Sequence, residues 1–179
     1  MPTPSSSLNL LPPYLAADLS RRAQLLRDKG VDVISFAMGD PDLPPPDLVI
    51  ETLREAALNP KNHNYAPFHG IEPYRAAIGS WLGRRFEVDI NIDTECTALI
   101  GSKEGLGHMI MAYVDPGDVV LVPSPGYPVY ANYTTLVGGE VHTMPLTADN
   151  GFLPDLDAIP EQVAKRAKLM FLNYPNNPT

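Results

Sequence analysis

The stretch TALIGSKEGLGHMIMAYVDPGDVVLVPSPGYPVYANYTTLVGGEVHTM, running from Thr97 to Met144, decides the fold. Its apolar residues change period repeatedly. Thr97 to Ile100 is a short run suited to a strand, and Leu106 to Tyr113 follows helical spacing. After the turn Asp115 to Asp118, Val119 to Val122 again suits a strand, Val129 to Leu136 a helix and Glu140 to Met144 a strand. The alternation continues with a helix over Leu156 to Arg166 and a strand over Lys168 to Leu172. Strands alternating with helices at this spacing predict an α/β fold with a mostly parallel sheet and right-handed crossovers. No internal repeat accompanies the pattern.

Upstream the signals are less regular. Residues 1–11 are rich in Ser, Pro and Leu and read as a loose arm. Leu15, Leu19, Ala23 and Leu26 then recur on one helical face, and Gly30 serves as the C-terminal stop. Val31 to Met38 reads as a strand, broken by Gly39, Asp40, Pro41 and Asp42. Asp47 is the expected N-cap of a helix through Leu58, and a long loop follows from Asn59 to Gly70. Pro73 suits the first turn of the next helix, whose apolar face is Tyr74, Ile78, Trp81 and Leu82 and whose polar end is Arg84 and Arg85.

Composition narrows the function classes. The 179 residues are 44% hydrophobic, enough for one ordinary domain with a substantial core. A formal charge of −8 and a pI near 4.8 give no pull toward nucleic acid or an anionic membrane. Cys96 is alone, so neither an intrachain disulfide nor a cysteine-based zinc site is expected, and with no signal-peptide layout a cytoplasmic location is the default. No apolar run approaches the ~20 residues that span a bilayer. His63, His69, His108 and His142 lack ligand spacing, so no metal site is expected. Asp40 and Asp42 flank Pro41 as turn formers more than as paired acids.

In a parallel sheet the ligand sits outside the carboxyl ends of the strands, and three loops qualify. The first is Gly101, Ser102, Lys103, Glu104 and Gly105, where free N–H groups, the helix dipole, the Ser102 hydroxyl and the Lys103 ammonium favour a phosphate. A plain strand-to-helix turn reads the same residues, with Lys103 solvated and Glu104 complementing the dipole. The second, Pro123 to Pro128, holds Tyr127 between stiff residues; a flat ligand ring stacks there, or the ring packs on the core. The third, Asn173 to Thr179, is too polar and proline-rich to continue a strand, and its amides suit a ligand oxygen or simply a turn.

Taken with Gly39, Asp40 and Pro41 and with Tyr65 to Gly70, these loops resemble the class I/II aminotransferases, pyridoxal 5'-phosphate (PLP) enzymes of fold type I. The similarity runs from about Leu11 to Thr179 in matching order and spacing. It implies a partial PLP-binding large domain: residues 1–45 as N-terminal arm and small-domain segment, and 46–179 as the first part of the large domain. It also implies site roles. Ser102 and Lys103 would hold the cofactor phosphate, Tyr127 would stack on the pyridine ring, and Asn177 would donate to the ring's phenolic oxygen. Tyr65 matches the tyrosine that reaches the neighbouring subunit's phosphate, which implies a homodimer with shared sites. Gly39 matches a backbone position near the substrate carboxylate.

The resemblance implies transfer of an amino group between an amino acid and a 2-oxo acid. Within the family, Gly-Ser-Lys-Glu-Gly followed by Pro-Gly-Tyr-Pro-Val-Tyr looks most like the LL-diaminopimelate branch, with alanine, aspartate and aromatic branches close behind. A carbon-sulfur β-lyase of the same fold shares every motif quoted, and a non-catalytic phosphate-binding or dimerisation module is the third reading. The family places its Schiff-base lysine well beyond the Asn-Pro-Thr motif. None of Lys29, Lys61, Lys103, Lys165 and Lys168 takes that role, so the 179 residues alone are expected to be inactive as a fragment.

Overall fold

The computed structural model describes residues 3–13, 15–36, 39 and 41–179. The chain divides into two compact units, one formed by Met1–Pro13 with Leu99–Thr179 and the other by Tyr14–Ala98.

The first unit holds the sheet. Its strands are β1 (Val119–Ser124), β2 (Glu140–Pro145) and β3 (Ala167–Met170), in the order β2-β1-β3 and all parallel, as the α/β reading expects. The central strand explains itself from sequence. Val119, Val120, Leu121 and Val122 form an unbroken apolar run because both faces of β1 are covered. Val120 and Val122 pack with Ile110, Val114, Val129, Tyr130 and Phe171, whereas Val119 and Leu121 pack with Met144 on the other face. Two helices of the unit are α4 (Ser102–Tyr113) and α5 (Val129–Leu136), which supply Ile110, Val129 and Tyr130 to the first layer.

The second unit contains α1 (Leu15–Arg27), α2 (Asp47–Leu58) and α3 (Glu72–Phe86). Gly30 stops the segment after α1 at φ 80°, as expected of a left-handed C-terminal residue. Asp47 opens α2 as its first residue, because Pro46 occupies the cap position. Pro73 sits in the first turn of α3, but the buried residue of that helix is Arg75, while Tyr74 and Trp81 stay half exposed. Arg75 Nε donates to Gly70 O at 3.3 Å, and its Nη1 donates to Ile92 O and to Asp93 Oδ1 at 2.8 Å.

Several expected elements change. Residues 31–36 form no strand, and Ile34 and Phe36 remain 79% and 95% exposed; no neighbouring strand pairs with them among the described residues. Residues 37, 38 and 40, the rest of that expected strand and its break, lie outside the described residues. Thr97 to Ile100 is also irregular, with Ala98 N donating to His69 O in place of a ladder. The long loop contains a 3-10 turn, Pro60–His63. The sixth helix, α6 (Glu161–Arg166), begins five residues later than expected because Pro160 restricts the residue ahead of it and fits the N-cap. The strand after it runs from Ala167 to Met170 and not to Leu172. Finally, the expected loop at Ser102 to Gly105 is the first turn of α4.

Candidate functional site

The start of α4 is set by Gly101, whose φ of 78° and ψ of 155° suit a residue without Cβ. Glycine also brings no side-chain cap. Glu104 reaches back instead, and its Oε2 accepts from Ile100 N at 2.5 Å, outside the helix. The first-turn N–H groups therefore keep their positive end without a side-chain cap, and Ser102 stands among them.

The second wall follows from β1. The strand ends at Ser124, and Gly126 turns so tightly that a Cβ there would lie 2.3 Å from Pro123 O. Tyr127 emerges half-buried and meets Tyr130 in a T-shaped contact, with centroids 5.9 Å apart and planes at 85°. Tyr130 is 5% exposed, and burial together with the neighbouring Tyr127 raises its hydroxyl pKa. The third wall comes off β3 through Phe171, Leu172 and Asn173 to Asn177.

These walls enclose one cleft of about 530 Å³, lined in part by Ser102, Tyr127, Tyr130, Phe171, Asn173 and Asn177. Three residues chosen from sequence, Ser102, Tyr127 and Asn177, thus meet in one place. Lys103, beside Ser102 on α4, is exposed and does not line the cleft. Tyr65 and Gly39 belong to the other compact unit, where Tyr65 is fully exposed on its loop and Gly39 lies in irregular backbone. Sequence reasoning missed Tyr130 and Phe171. Tyr130 stood three residues after Tyr127 in the expected helix, but its place under the cleft depends on a contact with Phe171 that no local pattern reveals.

The donor set suits a phosphorylated aromatic ligand: an anion site at a helix start, a half-buried ring and an amide on one cleft. Among the described residues no group of His, Cys, Asp and Glu side chains gathers that could hold a metal ion, and no helix is long and apolar enough to cross a membrane.

A parallel sheet with a cleft beyond the carboxyl ends of its strands defines a protein of the α/β class, in which that place is where small molecules are commonly bound. The chain belongs to the aminotransferase class I and II family, whose sequence profile matches residues 31–179. It is 55% identical over 169 residues to an LL-diaminopimelate aminotransferase from Moorella thermoacetica, covering 94% of this chain and 43% of that relative. It is 50% identical over 175 residues to one from Aquifex aeolicus, covering 98% of this chain and 45% of the relative. The chain therefore spans less than half the length of these curated relatives. Among solved structures, apo-BacF from Bacillus subtilis superimposes with a TM-score of 0.93 at 40% identity, covering 100% of this chain and 46% of that one. The aspartate aminotransferase of Thermus thermophilus with maleate gives 0.87 at 31% identity, covering 100% and 46%. The resemblance read from the loops is borne out, including its nearest-looking branch. Members of the family are PLP-dependent in general, use amino and 2-oxo acids, and are generally dimers.

Proposed function

We propose that this chain is the N-terminal part of a PLP-dependent aminotransferase that moves an amino group between LL-diaminopimelate and a 2-oxo acid, acting as a cytoplasmic homodimer. The division into residues 1–45, arm and small-domain segment, and 46–179, first part of the large domain, belongs to the same proposal. One observation carries it: Ser102, Tyr127 and Asn177 line a single cleft beyond the carboxyl ends of parallel strands. The 49–56% identity to relatives named LL-diaminopimelate aminotransferase supports the choice of amino acid.

Each residue then has a stated task. The α4 start and the Ser102 hydroxyl bind the phosphate dianion, and Lys103 adds positive charge close by. Tyr127 covers one face of the ring and keeps water from it. Asn177 donates its amide N–H to the phenolic oxygen and so favours that oxygen's ionised form. Tyr65 reaches the phosphate held by a second copy, and the backbone at Gly39 lies near the substrate carboxylate. Bound there, PLP supplies an electron sink for the charge left at the substrate's Cα when its proton departs.

Titrating the protein with PLP and following its absorbance tests the reading. Saturable binding that weakens in Ser102→Ala and in Tyr127→Ala is expected, and absence of saturable binding overturns it. Comparing LL-diaminopimelate with alanine, aspartate and aromatic donors in a full-length enzyme that carries this chain as its N-terminal part tests the substrate; equal or better use of another donor removes that part alone.

A further inference from the structure

One side chain joins two of the cleft's loops. Asn176 Nδ2 donates to Pro125 O at 3.2 Å, across 51 residues of sequence, and to Thr179 Oγ1 at 2.7 Å. Pro125 lies two residues before Tyr127, and Asn176 immediately precedes Asn177. The partners determine how the amide is turned, because Pro125 O can only accept and so must face the nitrogen. Asn176 Oδ1 is then buried with no partner among the described residues. A buried carbonyl oxygen without a donor is costly, and an apolar side chain of similar size avoids that cost. What asparagine contributes here is the pair of donor contacts.

The loops themselves are already stiff. Pro123, Pro125 and Pro128 restrict one, and Pro175 and Pro178 restrict the other. The motion left to them is displacement of one whole loop against the other, which a single cross-loop bond opposes. We propose that Asn176 is a positioning residue, holding the Tyr127 and Asn177 loops in one register so that a ligand meets both without first ordering either. The inference rests on the PLP reading of the cleft and adds to it a residue that does not line the cleft.

The test uses Asn176→Asp, which keeps the shape but turns an oxygen toward Pro125 O, with Asn150→Asp as the control. Asn150 Nδ2 makes a comparable bond to Leu153 O at 2.8 Å in an exposed turn of the same unit. Two measurements are made on the protein: backbone hydrogen exchange without cofactor, and PLP affinity. In N176D, exchange is expected to rise about two- to tenfold in segments 124–128 and 173–179 together, and PLP affinity to fall by about the same factor. N150D should change neither. Faster exchange confined to 173–179, or unchanged PLP affinity beside faster exchange in both segments, overturns the proposal. If N176D does not fold, Asn176→Leu, of similar volume and without donors, carries the same two measurements. Wild-type protein that fails to bind PLP removes the cofactor reading and the positioning role with it, while coupled exchange in the two segments still identifies the tether.

Discussion

Tyr130 lies flat on Phe171, with ring centroids 4.3 Å apart and planes 14° from parallel, and it meets Tyr127 in a T-shaped contact. The stack joins α5 to the residue just after β3 and lies at the cleft that receives Tyr127. Removing it opens the core and loosens the cleft together. Tyr130→Ala is expected to destabilise the protein by about 3–5 kcal/mol, the range for truncating a buried aromatic. Tyr130→Phe retains the stack and should cost about 1 kcal/mol or less. Urea denaturation of the two variants separates these outcomes, and equal losses would show that the hydroxyl, not the ring, matters.

The same residue makes stability depend on alkaline pH. Burial, followed by the effect of Tyr127, raises the Tyr130 hydroxyl pKa above its ordinary value of 10.0. Between the unfolded and folded pKa values the folded state holds more protons than the unfolded one, so stability falls as pH rises. The contribution is complete below about pH 10 and is lost as pH climbs through the folded value. Denaturation midpoints measured from pH 8 to 11 should decline less steeply in Tyr130→Phe than in wild type. Parallel declines would assign the alkaline slope to other groups.

Arg75 provides a second stability test, in the other compact unit. Its guanidinium serves Gly70 O, Ile92 O and Asp93 Oδ1 at once, a planar fork that a lysine ammonium does not reproduce. Arg75→Ala leaves two backbone carbonyls without this donor and is expected to cost about 2–4 kcal/mol. Arg75→Lys should recover less than half of the loss. Asp93→Asn should have a small effect, because that carboxylate is 74% exposed. Chemical denaturation of all three variants gives the order, and a well-tolerated lysine contradicts the fork argument.

Local rules made much of this architecture legible. The expected bounds of α5 and the C-terminal end of α2 coincide with the observed ones, because Pro128 precedes α5 and Pro60 pushes Asn59, the residue after α2, out of the helical region. β1 was evident as Val119 to Val122, since a four-residue apolar run bounded by an Asp-Pro-Gly-Asp turn and Pro123 fits a strand covered on both faces. The expected strands at Val31 to Met38 and Thr97 to Ile100 failed for a different reason. A strand is defined by its partner, and composition does not report whether one is present. In the site, Ser102, Tyr127 and Asn177 could be chosen because each follows a strand or opens a helix. Tyr130, Phe171 and Asn176 depend on contacts across 41 to 51 residues, and Arg75 is buried on a helix whose apolar pattern suggested other residues. Such contacts follow from packing and leave no local trace.

Gly126 shows how finely the cleft is set. A Cβ at this position would stand 2.3 Å from Pro123 O, a backbone atom that cannot swing aside. Gly126→Ala is therefore expected to displace the loop and cost about 1–3 kcal/mol. PLP affinity should fall further than in a variant of equal instability elsewhere, because the displaced residue adjoins Tyr127. Stability and affinity measured on one preparation check this, and loss of stability with unchanged affinity would separate the loop from the ligand.

The contribution of Tyr127 can be measured as a ring and not as a residue. Aromatic pairs in favourable geometry are worth about 0.5–1.5 kcal/mol beyond burial, which corresponds to roughly a two- to thirteenfold change in affinity. Tyr127→Phe and Tyr127→Trp keep a flat face and should bind PLP within about threefold of wild type, whereas Tyr127→Leu keeps apolar area and should bind about tenfold more weakly. The same series must leave inorganic phosphate binding unchanged, because in the proposed reading phosphate engages the α4 start and Ser102 and has no ring. Ser102→Ala should weaken both ligands. If Tyr127→Leu weakens phosphate as much as PLP, the ring is acting through the shape of the cleft, and stacking is not its role.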